Sequence, residues 1–291
     1  MSTTPADARI IDRGYRPYDG PRLGAAGAVR SLVRHTAQRV MGLRRPFQYK
    51  ILPLLSAGIA YVPAIVFVGL SALIKDDRVR QGFLPTYGEY YGFIVSALIV
   101  FASFVAPEAL CPDRRTGMLG LYLAAPFTRA SYVASKVGSV LALLAIATLG
   151  PPLLMVIAFV LQSQGPDGPL GVLTLVARVV LSGTMVAAVY TAVSLGISSL
   201  TDRRAIASAA TLLTVVGTGA VTGVLVEGVG MGEWLYMFNL SAAPFELVRR
   251  IFGERGEINI DLLPLVAGVA FWIALGTATI WWRYRRIEVT K

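Results

Sequence analysis

Apolar residues run along this chain in long blocks, not in alternation. Six stretches, 51–74, 90–107, 137–166, 179–201, 205–226 and 262–282, are almost or wholly free of Asp, Glu, Lys and Arg. A helix needs about 20 apolar residues to cross a hydrocarbon core roughly 30 Å thick, because each residue rises about 1.5 Å. Barrel strands are about half that length and alternate polar with apolar positions, which GPPLLMVIAFVL and SALIVFASFV do not do. The pattern therefore predicts an all-α membrane protein with six transmembrane helices, at about 51–74, 88–109, 134–161, 171–200, 205–227 and 262–283.

The polar intervals organise the rest. After a tail at 1–27, residues 28–46 place Val29, Leu32, Val33, Thr36, Ala37 and Val40 at helical spacing. Arg30, Arg34, His35 and Gln38 fall on the other face. That is an amphipathic helix suited to the membrane interface, expected to end before Pro46, with arginines able to meet anionic lipid head groups or a cytosolic partner. The membrane domain spans 47–283, with a connection at 110–133, a long segment at 228–261 and a tail at 284–291. In the long segment Trp234, Tyr236 and Phe238 suit an interface, and PFELVRRIFGERG reads as a short helix closed by Gly253. This predicts a re-entrant or lid-like element between spans five and six.

Charge supplies direction. Segments 1–50, 110–136, 200–204 and 283–291 hold 20 of the 27 basic residues, and the segments on the other side hold 6. Lys and Arg prefer the cytosolic side, so both termini are expected there. The same distribution explains a net charge of +10 without nucleic acid. Hydrophobic residues make up 55% of the chain and charged ones 15%, against about 25% in an ordinary soluble domain, so lipid is the solvent this surface requires.

Candidate chemistry is sparse. One cysteine, Cys111, excludes an intrachain disulfide, and one histidine, His35, excludes a multi-histidine metal site. No metal and no catalytic group is expected. The N-terminus lacks an apolar core with a cleavage site, so no cleaved signal peptide is expected. Gly150, Pro151 and Pro152 lie mid-way along the third apolar run, where prolines remove helix hydrogen bonds; they predict a kink or break and are candidates for a hinge or gate, a fixed kink being the alternative. Glu108 and Arg178 lie at span margins, and the apolar runs carry no Asp, Glu or His that an ion-coupled transporter or a membrane-embedded enzyme would use.

Residues 107–137, PEALCPDRRTGMLGLYLAAPFTRASYVASKV, join the second and third spans. Asp113, Arg114, Arg115, Gly117, Leu119, Leu123, Pro126, Thr128, Arg129 and Lys136 match a pattern of acid and base, helix start, leucine pair, proline and basic return. With the preceding amphipathic helix and six spans, this resembles the ABC-2-type permeases, the membrane subunits of ATP-binding-cassette exporters. Met118 and Gly120 depart from that family's Thr and acid.

The resemblance implies that the connection acts as a coupling helix on a separate ATPase subunit, with Asp113, Arg114, Arg115, Gly117, Leu119, Leu123, Arg129 and Lys136 as the coupling set. Arg30, Arg34 and Gln38 would form the polar face of the connecting helix. It also implies a second permease copy or homologue, export, a bacterial plasma-membrane location, and ATP with Mg held only by the partner. None of the four lysines is followed by Ser or Thr, so the chain carries no GxxxxGK[ST] phosphate loop. Two other readings are a non-transporting scaffold or sensor subunit of an ATPase complex and, less favoured, a lipid-modifying enzyme. Substrate-binding residues have no signature; the apolar spans favour a hydrophobic or amphipathic cargo such as a drug, antibiotic or lipid.

Overall fold

The computed structural model describes residues 20, 24–43, 46–74, 76–124 and 127–287, and Pro126 of the matched loop lies outside them. Among the described residues all regular structure is helical. Six helices are long and apolar enough to cross a membrane. They are α2 (Gln48–Leu73), α4 (Tyr87–Arg115), α6 (Arg129–Leu161), α7 (Gly168–Leu200), α8 (Arg204–Gly223) and α10 (Leu262–Arg286), each placed where the sequence carries an apolar run. Among the described residues there are also four shorter α-helices, α1 (Gly24–Val40), α3 (Asp77–Phe83), α5 (Met118–Ala124) and α9 (Ala243–Phe252), with a π-helical turn at Val224–Gly228 and a 3-10 helix at Glu233–Phe238.

α4 is the central helix, packed by α1, α2, α6, α7, α8 and α9. Its Tyr90, Tyr91, Ile94, Leu98, Ala106 and Leu110 are buried. Its start is fixed by a reciprocal cap, in which Thr86 Oγ1 accepts from the Glu89 amide and Glu89 accepts from the Thr86 amide. By contrast α2 and α8 leave long apolar faces uncovered, including Leu55, Ile65, Leu213 and Val221. In a bilayer such surface meets lipid or another protein, since neither needs hydrogen bonds from it.

α1 ends earlier than the proline at 46 requires. Gly42 takes a left-handed conformation (φ +68°), its amide donates to the Arg39 carbonyl, and the Leu43 amide donates to the Gln38 carbonyl. That pair of bonds closes a helix without proline, and glycine takes the positive φ with no Cβ penalty. The buried stripe of α1 is Leu32, Thr36 and Val40, while Arg30, Arg34 and His35 are exposed.

α7 and α10 pack backbone against backbone at two glycines. A Cβ on Gly196 would come within 3.1 Å of Gly276 Cα, and one on Gly276 would run into the Ala192 carbonyl. Small residues allow this approach, from which helices in lipid gain their packing energy.

Candidate functional site

The basic end of the bundle carries α1, the α4–α6 connection, the α7–α8 turn and the end of α10. At its centre lies Asp113, fully buried, on the last turn of α4. Its Oδ1 meets Arg39 Nη1 of α1 at 2.6 Å, and its Oδ2 meets Lys136 Nζ of α6 at 2.6 Å. The Tyr132 hydroxyl donates to Oδ2 at 2.9 Å. Lys136, itself buried, also donates to Thr36 Oγ1 at 3.0 Å and lies 5.4 Å from the Tyr132 ring centroid. Arg39 Nη2 donates to the carbonyls of Glu108 and Ala109 at 3.2 and 3.0 Å. One carboxylate thus ties α1, α4 and α6 together. Tyr122 of α5 flanks the cluster; burial, with a smaller push from the Asp113 carboxylate, raises its phenol above its ordinary range.

The cluster changes the reading of Asp113 and Lys136. The coupling set groups them with residues facing a partner, but both are buried inside their own chain and bonded to each other. Besides Glu89 in its first turn, α4 carries Glu108 and Asp113, because the helix continues past its apolar run to Arg115.

The remaining cations of the connection are divided between inward and outward roles. Arg114 Nη1 donates to the carbonyls of Ser199 and Thr201 at 2.5 and 3.1 Å, covering the end of α7. Arg129 Nη1 donates to the Arg285 carbonyl at 2.8 Å at the end of α10. Guanidinium groups satisfy carbonyls that a helix end leaves without amides. Arg115 stays exposed. Gly117, at φ +68°, turns the chain from α4 into α5. On α5, Leu119 is 8% exposed and Leu123 packs on the core, while Leu121 is 66% exposed and Met118 37%. Gln38 is half-buried.

The prolines do not break α6, which is helical from Arg129 to Leu161. Pro152 has no amide to offer the Thr148 carbonyl four residues earlier, and the Tyr91 hydroxyl donates to that oxygen instead at 3.0 Å. The Tyr61 hydroxyl lies against Gly150 and donates to the Ile146 carbonyl at 3.0 Å. Phenols from α2 and α4 therefore brace the stretch at Gly150, Pro151 and Pro152, replacing polar partners that lipid does not supply.

At the opposite end, the segment after α8 turns back into the bundle. The Leu240 carbonyl accepts from the Tyr190 hydroxyl at 2.9 Å, and the Leu240 amide donates to Thr218 Oγ1 at 3.2 Å. Tyr190 stands about 15 Å of helix rise before α7 ends at Leu200, so the segment reaches the interior. Asn239 Oδ1 accepts from the Ser241 and Ala242 amides at 3.0 Å each, and α9 then climbs outward to Gly253. Beyond it, Glu254 Oε1 accepts from the Gly88 amide at 2.9 Å, and Arg178 Nη1 donates to the Phe252 carbonyl at 3.1 Å. The segment that folds back lies within residues 228–261, where the sequence predicts a re-entrant or lid-like element.

A first helix with one buried stripe, six helices of membrane-spanning length with a short helix between the second and third, and a segment that folds back into the bundle form one arrangement. The sequence pattern of the ABC-2 family transporter proteins matches residues 23–239, from the start of α1 to the turn ahead of α9. The chain belongs to the ABC-2 transporter family. Among curated proteins no match is found. This ABC-2 protein is accordingly a multi-pass membrane protein of a transport family.

Arg39 is the functional candidate that sequence reading passes over in this ABC-2 protein. It sits between the polar residues of α1 and the buried Thr36 and Val40. A cation three residues from one stripe position and adjacent to another was the available signal. Its partner Asp113 is 74 positions away, a separation no local pattern reveals.

Proposed function

We propose that the chain is the membrane-spanning subunit of an ATP-driven exporter, seated on separate ABC ATPase subunits and paired with a second permease copy or homologue. ABC-2 membership carries this reading. The supporting geometry is the short α5, exposed at Leu121 and Met118, beside exposed Arg115 and on a base clamped by Arg39, Asp113 and Lys136. A helix on a clamped base transmits force, because the load passes into α1, α4 and α6 together.

In this scheme the basic end faces the cytosol, in keeping with the positive-inside bias. The partner binds ATP with Mg and performs the hydrolysis. Closure of the ATPases presses on α5 and Arg115, while Arg30 and Arg34 on α1 offer donors to acids of the partner or to anionic lipid. The pathway between two permeases then changes from inward-facing to outward-facing, and the cargo is hydrophobic or amphipathic. Asp113 and Lys136 act from within as positioning residues, and Arg114 and Arg129 seat the connection on α7 and α10.

The test is co-expression with ABC ATPase subunits from the same genome, followed by copurification and ATP hydrolysis in proteoliposomes. The ATPase is expected to copurify and its turnover to respond to amphipathic cargo. Leu121→Glu, on an exposed position, is expected to abolish copurification while leaving the melting temperature of the permease unchanged. An ATPase that never associates, or one that binds Leu121→Glu as it binds the wild type, overturns the reading.

A further inference from the structure

A cavity of about 540 Å³ opens at the basic end between α1, α2, α4 and α8. Its size falls within the roughly 300–1,000 Å³ of small-molecule sites. Its walls have a common polarity gradient. On α4 the lining runs from Glu108 through Phe104 to Val100, and on α8 from Arg204 through Ser208 to Leu212. Each step is one helical turn away from the basic end, so about 12 Å of rise separates a charged mouth from an apolar interior.

Two further observations concern the mouth. Arg39 and Ser208 both line the cavity, and Arg39 Nε and Ser208 Oγ are buried with no hydrogen-bond partner. Both groups are donors, and buried donors without acceptors cost free energy. Among the described residues that line the mouth, Arg39 and Arg204 are cationic and Glu108 is anionic.

We propose that this cavity binds an amphipathic anion, with a single carboxylate or phosphate head at Arg39, Arg204 and Ser208 and an apolar body along Phe104, Val100 and Leu212. The head supplies an acceptor for the two buried donors, and its charge complements the Arg39 and Arg204 guanidinium groups. The body covers apolar wall that water wets at a cost. As a cargo site the cavity rests on the export reading above; as a binding site it does not.

The experiment uses the full chain in phosphatidylcholine nanodiscs, titrated with dansyl-labelled undecanoate. Saturable binding is expected, with displacement by laurate and at least tenfold weaker displacement by dodecanol or dodecyltrimethylammonium. Leu212→Trp and, from the opposite wall, Val100→Trp are each expected to weaken the probe at least tenfold. Arg204→Gln is expected to remove the preference for laurate over dodecanol. Two independent filling variants with wild-type melting temperatures keep the test from resting on one fold defect. Displacement by phosphatidylglycerol in the nanodisc supports the anion site with a bilayer lipid as its source, and continued probe binding supports it with a free amphiphile. Absence of saturable binding, equal competition by acid, alcohol and ammonium, or unchanged affinity in both Trp variants overturns the proposal. Binding that persists where no ATP-driven transport is found overturns the export reading alone.

Discussion

Replacing Asp113 with Asn tests the clamp at the basic end. The substitution keeps the shape and one acceptor for the Tyr132 hydroxyl but removes the charge from between Arg39 and Lys136, each 2.6 Å from a carboxylate oxygen. Removing one partner of a buried ion pair costs about 3–5 kcal/mol, mainly because the other charge is left uncompensated. Two mitigating contacts place this case near the lower limit: Arg39 keeps the carbonyls of Glu108 and Ala109, and Lys136 keeps Thr36 Oγ1. The expected loss is therefore about 3 kcal/mol. Denaturant or thermal unfolding in a fixed detergent measures it. Hydrogen exchange should show α1 losing protection first, since Asp113 holds its only ion pair to α4 and α6 among the described residues. A double variant sharpens the test: Lys136→Met in the Asp113→Asn background leaves one cation in place of two and should recover part of the loss. Stability within 0.5 kcal/mol of wild type for Asp113→Asn, well below that estimate, refutes the clamp.

Two further outcomes probe the membrane interior. Tyr91→Phe leaves the Thr148 carbonyl, already without the Pro152 amide, with no partner from α4; a loss of about 1–3 kcal/mol in unfolding is expected, and no loss refutes the bracing of α6. Gly276→Ala drives a methyl group into the Ala192 backbone and should cost about 1–3 kcal/mol, because two packed helices must separate. Gly217→Ala, whose Cβ meets nothing within 4 Å, is the matched control and should leave the melting temperature unchanged or slightly raised.

How much was legible in the sequence differs by level. Span existence is a one-dimensional property: a hydrocarbon core of given thickness demands a given length of apolar helix, and hydropathy reports it. The helix α9 was legible for a related reason, since PFELVRRIFG carries its own amphipathic face and its own glycine stop. The helix ends were less so. Gly42 closes α1 ahead of Pro46, and α4 continues to Arg115 because burial against α1 and α6 lets it carry Asp113 past the apolar run.

The site divides along the same line. By itself the sequence determined that acids and bases gather between the second and third spans, that these residues resemble a family loop, and that no phosphate loop is present. Only the tertiary structure decided which charges face inward. Asp113 and Lys136 look like Arg115 in the sequence, yet those two are buried and paired with each other while Arg115 is exposed. Sequence spacing carries no information about an interaction closed by three separate helices. An ion pair acquires its strength and its role from the desolvation that packing imposes, and that packing exists only once α1, α4 and α6 have met.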